Sequence, residues 1–254
     1  MTRLSPPWIF AGGTLLLLVG LWRVDASPAR LLEGIGKLGW LLALMWPPSA
    51  GGHLTDLLQA LAETVAMAFL GTLLAAAIAL PLSFLGARNV IASALTRFTV
   101  RRAYDGLRAV DSLVWALIFV SAVGMGPFAG ILALALPDIG TLSKTFSEAL
   151  ESADRRPVEG VRASGGSRLH AIRFGLIPQA APVMLAQVLY TFESNTRSAT
   201  IIGVVGAGGI GLALADRMRI NNWDEAAFIV LLILFAVGVI DAASRRIRMR
   251  LIRA

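Results

Sequence analysis

The polar positions of this chain are few and clustered, and between them lie apolar runs long enough to cross a bilayer. Trp8 to Trp22 is a short first run after a nearly uncharged start. No small-residue cleavage site follows it cleanly, so it reads as a retained span rather than a signal-peptide core. Leu31 to Trp46 is apolar but carries Glu33 and Lys37, four apart on one helical face. That suits a helix lying in the interface, with Trp40 and Trp46 at headgroup level and Pro47 and Pro48 ending it. Leu57 to Leu85 exceeds the roughly 20 residues that a span needs and has Pro81 near one end. A further span is predicted to run from residue 107 through Leu113 to Val123. "GMGP", Gly124 to Pro127, makes a tight turn, and Phe128 to Leu136 starts a return span that passes Pro137 and Asp138 toward Phe146. Ala180 to Thr191 opens another span, and Phe228 to Val239 is the core of the last.

Composition agrees. The 254 residues are 56% hydrophobic and only 15% charged, whereas a soluble domain carries about a quarter charged residues. The net charge of +7 is almost all arginine, with lysine only at Lys37 and Lys144. These arginines lie between apolar runs, so the positive-inside rule explains them better than nucleic-acid binding does. Placing the stretch Arg88 to Arg108, the segment around Arg162 to Arg173 and the tail from Arg245 to Arg253 on one side puts both termini in the cytoplasm. The reading is an all-α integral membrane protein of about six spans. Its expected parts are an N-terminal span with an interfacial helix (1–56), a transmembrane domain (57–246) and a basic cytoplasmic tail (247–254). With no cysteine and only two well-separated histidines, His53 and His170, neither a disulfide framework nor a metal site is expected.

One stretch breaks the oily pattern. "EGVRASGGSRLHAIRFGLIP", Glu159 to Pro178, combines arginines with Gly165 and Gly166. So much charge excludes it from hydrocarbon, and it reads as a cytoplasmic excursion. Leu150, Ala153, Val158 and Val161 have helical spacing, and Pro157 fits a first turn. The glycine pair permits a sharp reversal. A second short helix follows, capped by Ser167, and Pro178 begins re-entry into the membrane. Two short helices standing off the bilayer would make a docking element spanning 147–178.

This stretch resembles the EAA loop of ABC importer permeases, which have a MetI-like transmembrane fold. Glu159 and Gly165 have that loop's spacing and Ile177-Pro178 closes it, while Gly160 and Val161 replace two alanines and Gly175 replaces an isoleucine. "LVWALIFVSAVGMGPFAGILALAL", Leu113 to Leu136, and "RSATIIGVVGAGGIGLAL", Arg197 to Leu214, are similar to the phosphonate transporter branch, which includes phosphite and hypophosphite importers. Here Asp111-Ser112 and Pro137-Asp138 stand where that branch has Pro-Glu and His-Thr. The resemblance covers residues 60 to 246. It implies a permease subunit that is not itself an enzyme, moving phosphonate- or phosphite-type oxyanions through the bacterial inner membrane. It also implies coupling to an ATPase dimer through Glu159, Gly165, Gly166, Ile177 and Pro178, a second permease copy as homodimer partner, and delivery by a periplasmic binding protein. ATP would be bound by the partner, and no cofactor by this chain.

The residues themselves leave other classes open. No GxxxxGK[ST] is present, so ATP-driven transport needs a separate ATPase polypeptide. A stand-alone secondary transporter or channel for small anions would show internal repeats, which the hydropathy lacks, and an ABC permease for a different small solute fits the same pattern. No nucleophile–base pair or metal constellation points to an enzyme. Gly206, Gly208 and Gly211 satisfy GxGxxG, but a membrane helix precedes them, so they serve close packing or a flexible turn rather than a dinucleotide. Glu193, Asn195 and Arg197 fall within or at the end of a span. They form either a structural ion pair or part of a substrate pathway, where Arg197 would attract an oxyanion. Gln59 and Glu63 are assigned to helix packing, and Asp111 and Asp138 to the interfaces.

Overall fold

The computed structural model describes residues 7–24 and 27–253. The chain divides into two compact units, Met1–Pro48 and Ser49–Ala254. The first holds α1 (Pro7–Arg23) and α2 (Pro28–Leu44). Ser27 caps α2 by accepting from the Arg30 N–H, and Lys37 pairs with Glu33 at 2.7 Å along the helix.

The second unit is all helical among the described residues: α3 (Leu54–Gly86), α4 (Ala94–Leu107), α5 (Ser112–Val123), α6 (Pro127–Glu151), α7 (Arg155–Ala163), α8 (Arg168–His170), α9 (Ile177–Ile202), α10 (Gly209–Arg219) and α11 (Trp223–Arg253). π-helical segments at Ala171–Leu176 and Gly203–Ala207 flank α9. The last helix continues through the residues expected to form a separate tail, and the unit already begins at Ser49, whose N–H reaches the Asp224 carbonyl.

Three helical stretches have the length and composition to cross a bilayer alone: Leu54–Gly86, Arg168–Ala207 and Trp223–Arg250. The span expected over 107–123 is instead broken. α4 and α5 meet at 77°, and at 12 residues α5 reaches only about 18 Å. Asp111 makes the break by capping α5 through the Leu113 N–H at 2.8 Å. α6 is long enough to cross at 25 residues, but it carries Asp138 and Lys144. It is buried along most of its length among other helices, so its composition need not suit lipid. α1 is a shorter apolar helix over Phe10–Arg23.

α3 and α6 form the centre. Thr64, Ala68, Gly71, Thr72, Ala75, Ala79, Ser83 and Gly86 make a buried stripe of small residues down α3 at helical spacing, while Phe69, Leu70, Leu73 and Leu80 face outward. The stripe lets the backbones approach: a Cβ on Gly71 would sit 3.3 Å from the Ile131 carbonyl. Near the Arg-rich end, Ser147 donates to the Ser83 carbonyl at 2.8 Å, and the Tyr104 hydroxyl of α4 donates to the Leu82 carbonyl. At the other end, the Gly209 N–H is received by the Glu63 carboxylate at 3.1 Å and the Ile210 N–H by Thr64 Oγ1 at 2.8 Å. Glu63 thus packs a helix, as expected, and does so by capping the start of α10.

α9 and α11 are joined by charge. Arg248 of α11 meets Glu193 at 2.9 Å, and Arg197 lies 3.8 Å from Glu193 and 3.4 Å from Asp241 of α11. The Glu193 side chain is 15% exposed, so removing its charge strands Arg248 in a poorly solvated place. Glu193→Gln is expected to cost on the order of 1–3 kcal/mol. In a detergent melting experiment on the purified complex this reads as a fall of several degrees, at ~2–4 °C per kcal/mol. Arg197→Ala, at a more exposed position, should lower the midpoint much less.

Candidate functional site

Two places hold the residues singled out by sequence. The first is the segment between α6 and α9. Asp154 caps α7 by accepting from the Arg156 N–H at 3.1 Å, and Pro157 lies in the first turn. α7 then ends in a Schellman turn: the Gly166 N–H bonds the Val161 carbonyl and the Gly165 N–H the Arg162 carbonyl, both at 3.0 Å. Gly165 holds φ +83° with open space where a Cβ would point, so the position needs glycine for its backbone and not for a close contact. Gly166 is the crowded member of the pair, since a Cβ there would lie 2.6 Å from the Val161 carbonyl. Glu159 is exposed on the outer face of α7.

The second short helix differs from expectation. Ser167 caps it, with His170 completing a capping box, but the helix does not stop before the membrane. α8 runs through the π segment into α9, and Pro178 lies inside one continuous helical stretch from Arg168 to Ala207. The cause is a register change: the Ile177 N–H bonds back to the Ile172 carbonyl, so the widened turn absorbs the proline ring and its missing N–H. Gly175, which stands at the expected isoleucine position, lies under α7. A Cβ there would come 2.9 Å from Val158 Cα, so the hairpin closes only with glycine.

This hairpin is fastened to the spans at several points. The Asp154 N–H donates to Gln179 Oε1 at 2.9 Å, and Gln179 Nε2 donates to the carbonyls of Gly175 at 2.6 Å and Asp154 at 3.2 Å. Arg168 donates to the Val90 carbonyl in the α3–α4 link. Glu151, at the end of α6, receives the Arg88 N–H at 2.7 Å and the Arg101 guanidinium at 2.6 Å. Between these fastenings lies a cleft of about 380 Å³ bordered by Arg88, Arg155, Arg162 and Arg168. Sequence reasoning missed Gln179, which ties the start of α7 to α9, and Glu151, which ties the end of α6 to α4 and the α3–α4 link; their only signal was polarity at the ends of apolar runs.

The second place lies at mid-height. Asn195 is 5% exposed, and its amide donates to Asp138 Oδ2 at 2.6 Å and to Thr72 Oγ1 at 2.9 Å. Thr72 and Asp138 fall near the middles of α3 and α6. Asp138 is therefore not at an interface, as expected from sequence, but inside the bundle. Its neighbours are brought together by tertiary packing across more than fifty residues of sequence. Asn195 is separated from Glu193 and Arg197, which point into the α9–α11 clamp. The three residues read together in sequence thus serve two different places.

The glycines of "GVVGAGGIG" form a reversal and a close helix contact. Gly206 and Gly208 hold φ +104° and +86°, reversing the chain, and a Cβ on Gly203 would lie 3.0 Å from Gly211 Cα where α9 and α10 pack backbone to backbone. The Gly126 N–H of the "GMGP" turn bonds the Gly206 carbonyl at 3.1 Å, joining the two reversals.

Comparison with known proteins agrees with this architecture. Residues 79–253 match the family "Binding-protein-dependent transport system inner membrane component". The putative phosphite transport system permease protein HtxC of Stutzerimonas stutzeri is 36% identical over 92% of this chain and 82% of its own length. The phosphite transport system permease protein PtxC of the same organism is 36% identical over 92% of this chain and 85% of its own. Among solved structures, a chain of the MetNI methionine ABC transporter in inward-facing conformations superposes with a TM-score of 0.69, covering 80% of this chain and 99% of that one at 24% identity. The fold is thus MetI-like, and this chain belongs to the inner membrane components of binding-protein-dependent transport systems, the permease subunits of ABC importers.

Proposed function

We propose that this permease passes phosphite- or phosphonate-type oxyanions into the cytoplasm, and that the hairpin 155–170 is its contact with the ATP-hydrolysing subunit. The substrate reading rests on the phosphite permeases that align over nearly the whole chain. The coupling reading rests on one structural observation: an exposed helical hairpin whose start is bonded to Gln179 of α9 and whose Arg168 reaches the α3–α4 link. Movement of a body docked on α7 would pull on Glu151 and Gln179 and so on α6 and α9. Glu159 and Gly165 present the docking face and set its angle. Gly166, Ile177 and Pro178 shape its attachment.

One chain offers one hairpin, so two permease copies would engage two ATPase subunits, in the simplest case as a homodimer. A periplasmic binding protein would load the opposite end. ATP is bound by the partner, and this chain supplies no catalytic group.

Gly165 separates backbone strain from bulk. Gly165→Ala keeps the surface open but places a Cβ at φ +83°, which costs about 1 kcal/mol and should leave transport largely intact. Gly165→Trp adds a bulky ring at the docking face. Insertion and dimer formation should survive, while stimulation of ATP hydrolysis by loaded binding protein and substrate uptake should both be lost. Transport at the parent rate in reconstituted Gly165→Trp complexes would remove the hairpin from the coupling role.

Orientation is tested by single cysteines, since the chain has none. Ser164→Cys on the hairpin should react in intact cells only with membrane-permeant maleimides. Thr55→Cys, exposed at the opposite end of α3, should react with impermeant ones. The reverse pattern would invert the topology.

A further inference from the structure

A small polar chamber of about 180 Å³ opens where the α4–α5 pair breaks, against the middles of α6 and α9. Arg108 and Ser112 line it from the break, Asp138 from α6, and Ser194, Asn195 and Ser198 from α9. We infer that this chamber is an oxyanion way-station in the translocation path, built for a small, singly charged anion that still carries an O–H. The inference rests on the substrate class proposed above.

Three observations carry it. The first is unspent donors. Hydroxyls on these helices usually bond back to a carbonyl one turn earlier, as Thr72, Ser121, Thr141, Ser147 and Thr196 do. Among the described residues, the hydroxyls of Ser112, Ser194 and Ser198 meet no protein partner. Ser194 and Ser198 lie one turn apart on one face of α9, both lining the chamber. The second is charge. Arg108 lies 4.0 Å from Asp105, a loose pairing that leaves guanidinium N–H groups for a ligand. The third is place. A break between two helices, with polar groups gathered against the middle of α6, is where a bilayer protein can hold an ion away from lipid.

Size and acceptor content narrow the ligand. At about 30 Å³ per water, the chamber holds roughly six waters. That suits an anion of four or five heavy atoms. Asp138 accepts from Asn195 through Oδ2, and its other oxygen has no partner among the described residues. Asn195 is itself fixed, its amide spent on Asp138 and Thr72. A free carboxylate oxygen repels a fully deprotonated dianion and accepts from a P–OH. Hydrogenphosphite meets both demands. Sulfate has the same shape but no proton to give.

The test uses the permease–ATPase complex in detergent, without binding protein, and the phosphorus NMR line of millimolar phosphite. The parent complex should broaden the line and Ser194→Ala/Ser198→Ala should not, since two lost hydrogen bonds weaken binding about tenfold. Sulfate should not relieve the broadening in the parent but should do so in Asp138→Asn, which keeps the shape and removes the charge. Co-purification of the ATPase subunit with both variants, at the parent's gel-filtration position, would show that they remain assembled. Equal broadening by parent and serine variant overturns the chamber. So does absence of broadening by the parent. In that case uptake by the reconstituted complex with its binding protein decides the rest. Phosphite uptake without broadening leaves the transported class standing, and no uptake of any phosphorus oxyanion removes both.

Discussion

Lipid tails are as apolar as leucine, so nothing in the hydrocarbon region presses two helices together for the sake of burying oil. The fold therefore depends on how closely α3 and α6 can approach. The stripe from Thr64 to Gly86 supplies that approach: alanines, glycines and small hydroxyl residues face α6, and the large side chains are turned outward. Everything else hangs from this pair. α4 and the end of α6 are fixed to the Arg-rich end of α3 through Tyr104, Arg101 and Glu151, while α10 is fixed to the other end through Glu63 and Thr64.

The same economy governs the polar groups. In a medium without water each unsatisfied donor or acceptor is costly, so most polar side chains at membrane depth are paired, with Trp115 Nε1 and Ser143 Oγ as buried exceptions. Asn195 spends its amide on Thr72 and Asp138, and Glu193, Arg197, Asp241 and Arg248 form a second set. The partly exposed serine hydroxyls near the α4–α5 break differ from the buried, unpartnered Ser143 hydroxyl in that they line a polar chamber.

Much of this was legible in sequence because membrane proteins announce their spans by length and their orientation by arginine. The apolar runs, the "GMGP" turn, the Ser167 cap and the glycine reversal at Gly165 all follow from local rules. The chain hid what depends on long-range placement. Length alone identified α3 as a span but not its inward face, which is marked by small residues and not by large ones. The break before α5 was masked because Arg108 to Asp111 looks like the end of a loop, and only the cap at Asp111 shows that a helix restarts there. Glu193, Asn195 and Arg197 are neighbours in sequence. One turn of helix aims them at different partners, a separation that no spacing rule could reveal without knowing where α6 and α11 lie.

The hairpin shows how a departure from a family pattern acquires a physical meaning. An isoleucine at position 175 would drive its side chain into α7, where even a single Cβ meets Val158. Glycine lets α7 lie directly on the helix entering the membrane, and Gln179 then reaches both Gly175 and Asp154. The π turn ahead of Pro178 keeps this helix unbroken. A rigid rod thus leads from beneath α7 to Asn195 at mid-height, in place of a hinged short helix. Displacement of α7 along the membrane normal would be carried to the Asn195–Asp138 contact with little loss, because no flexible joint lies between them. Coupling and passage would then be two ends of one helix.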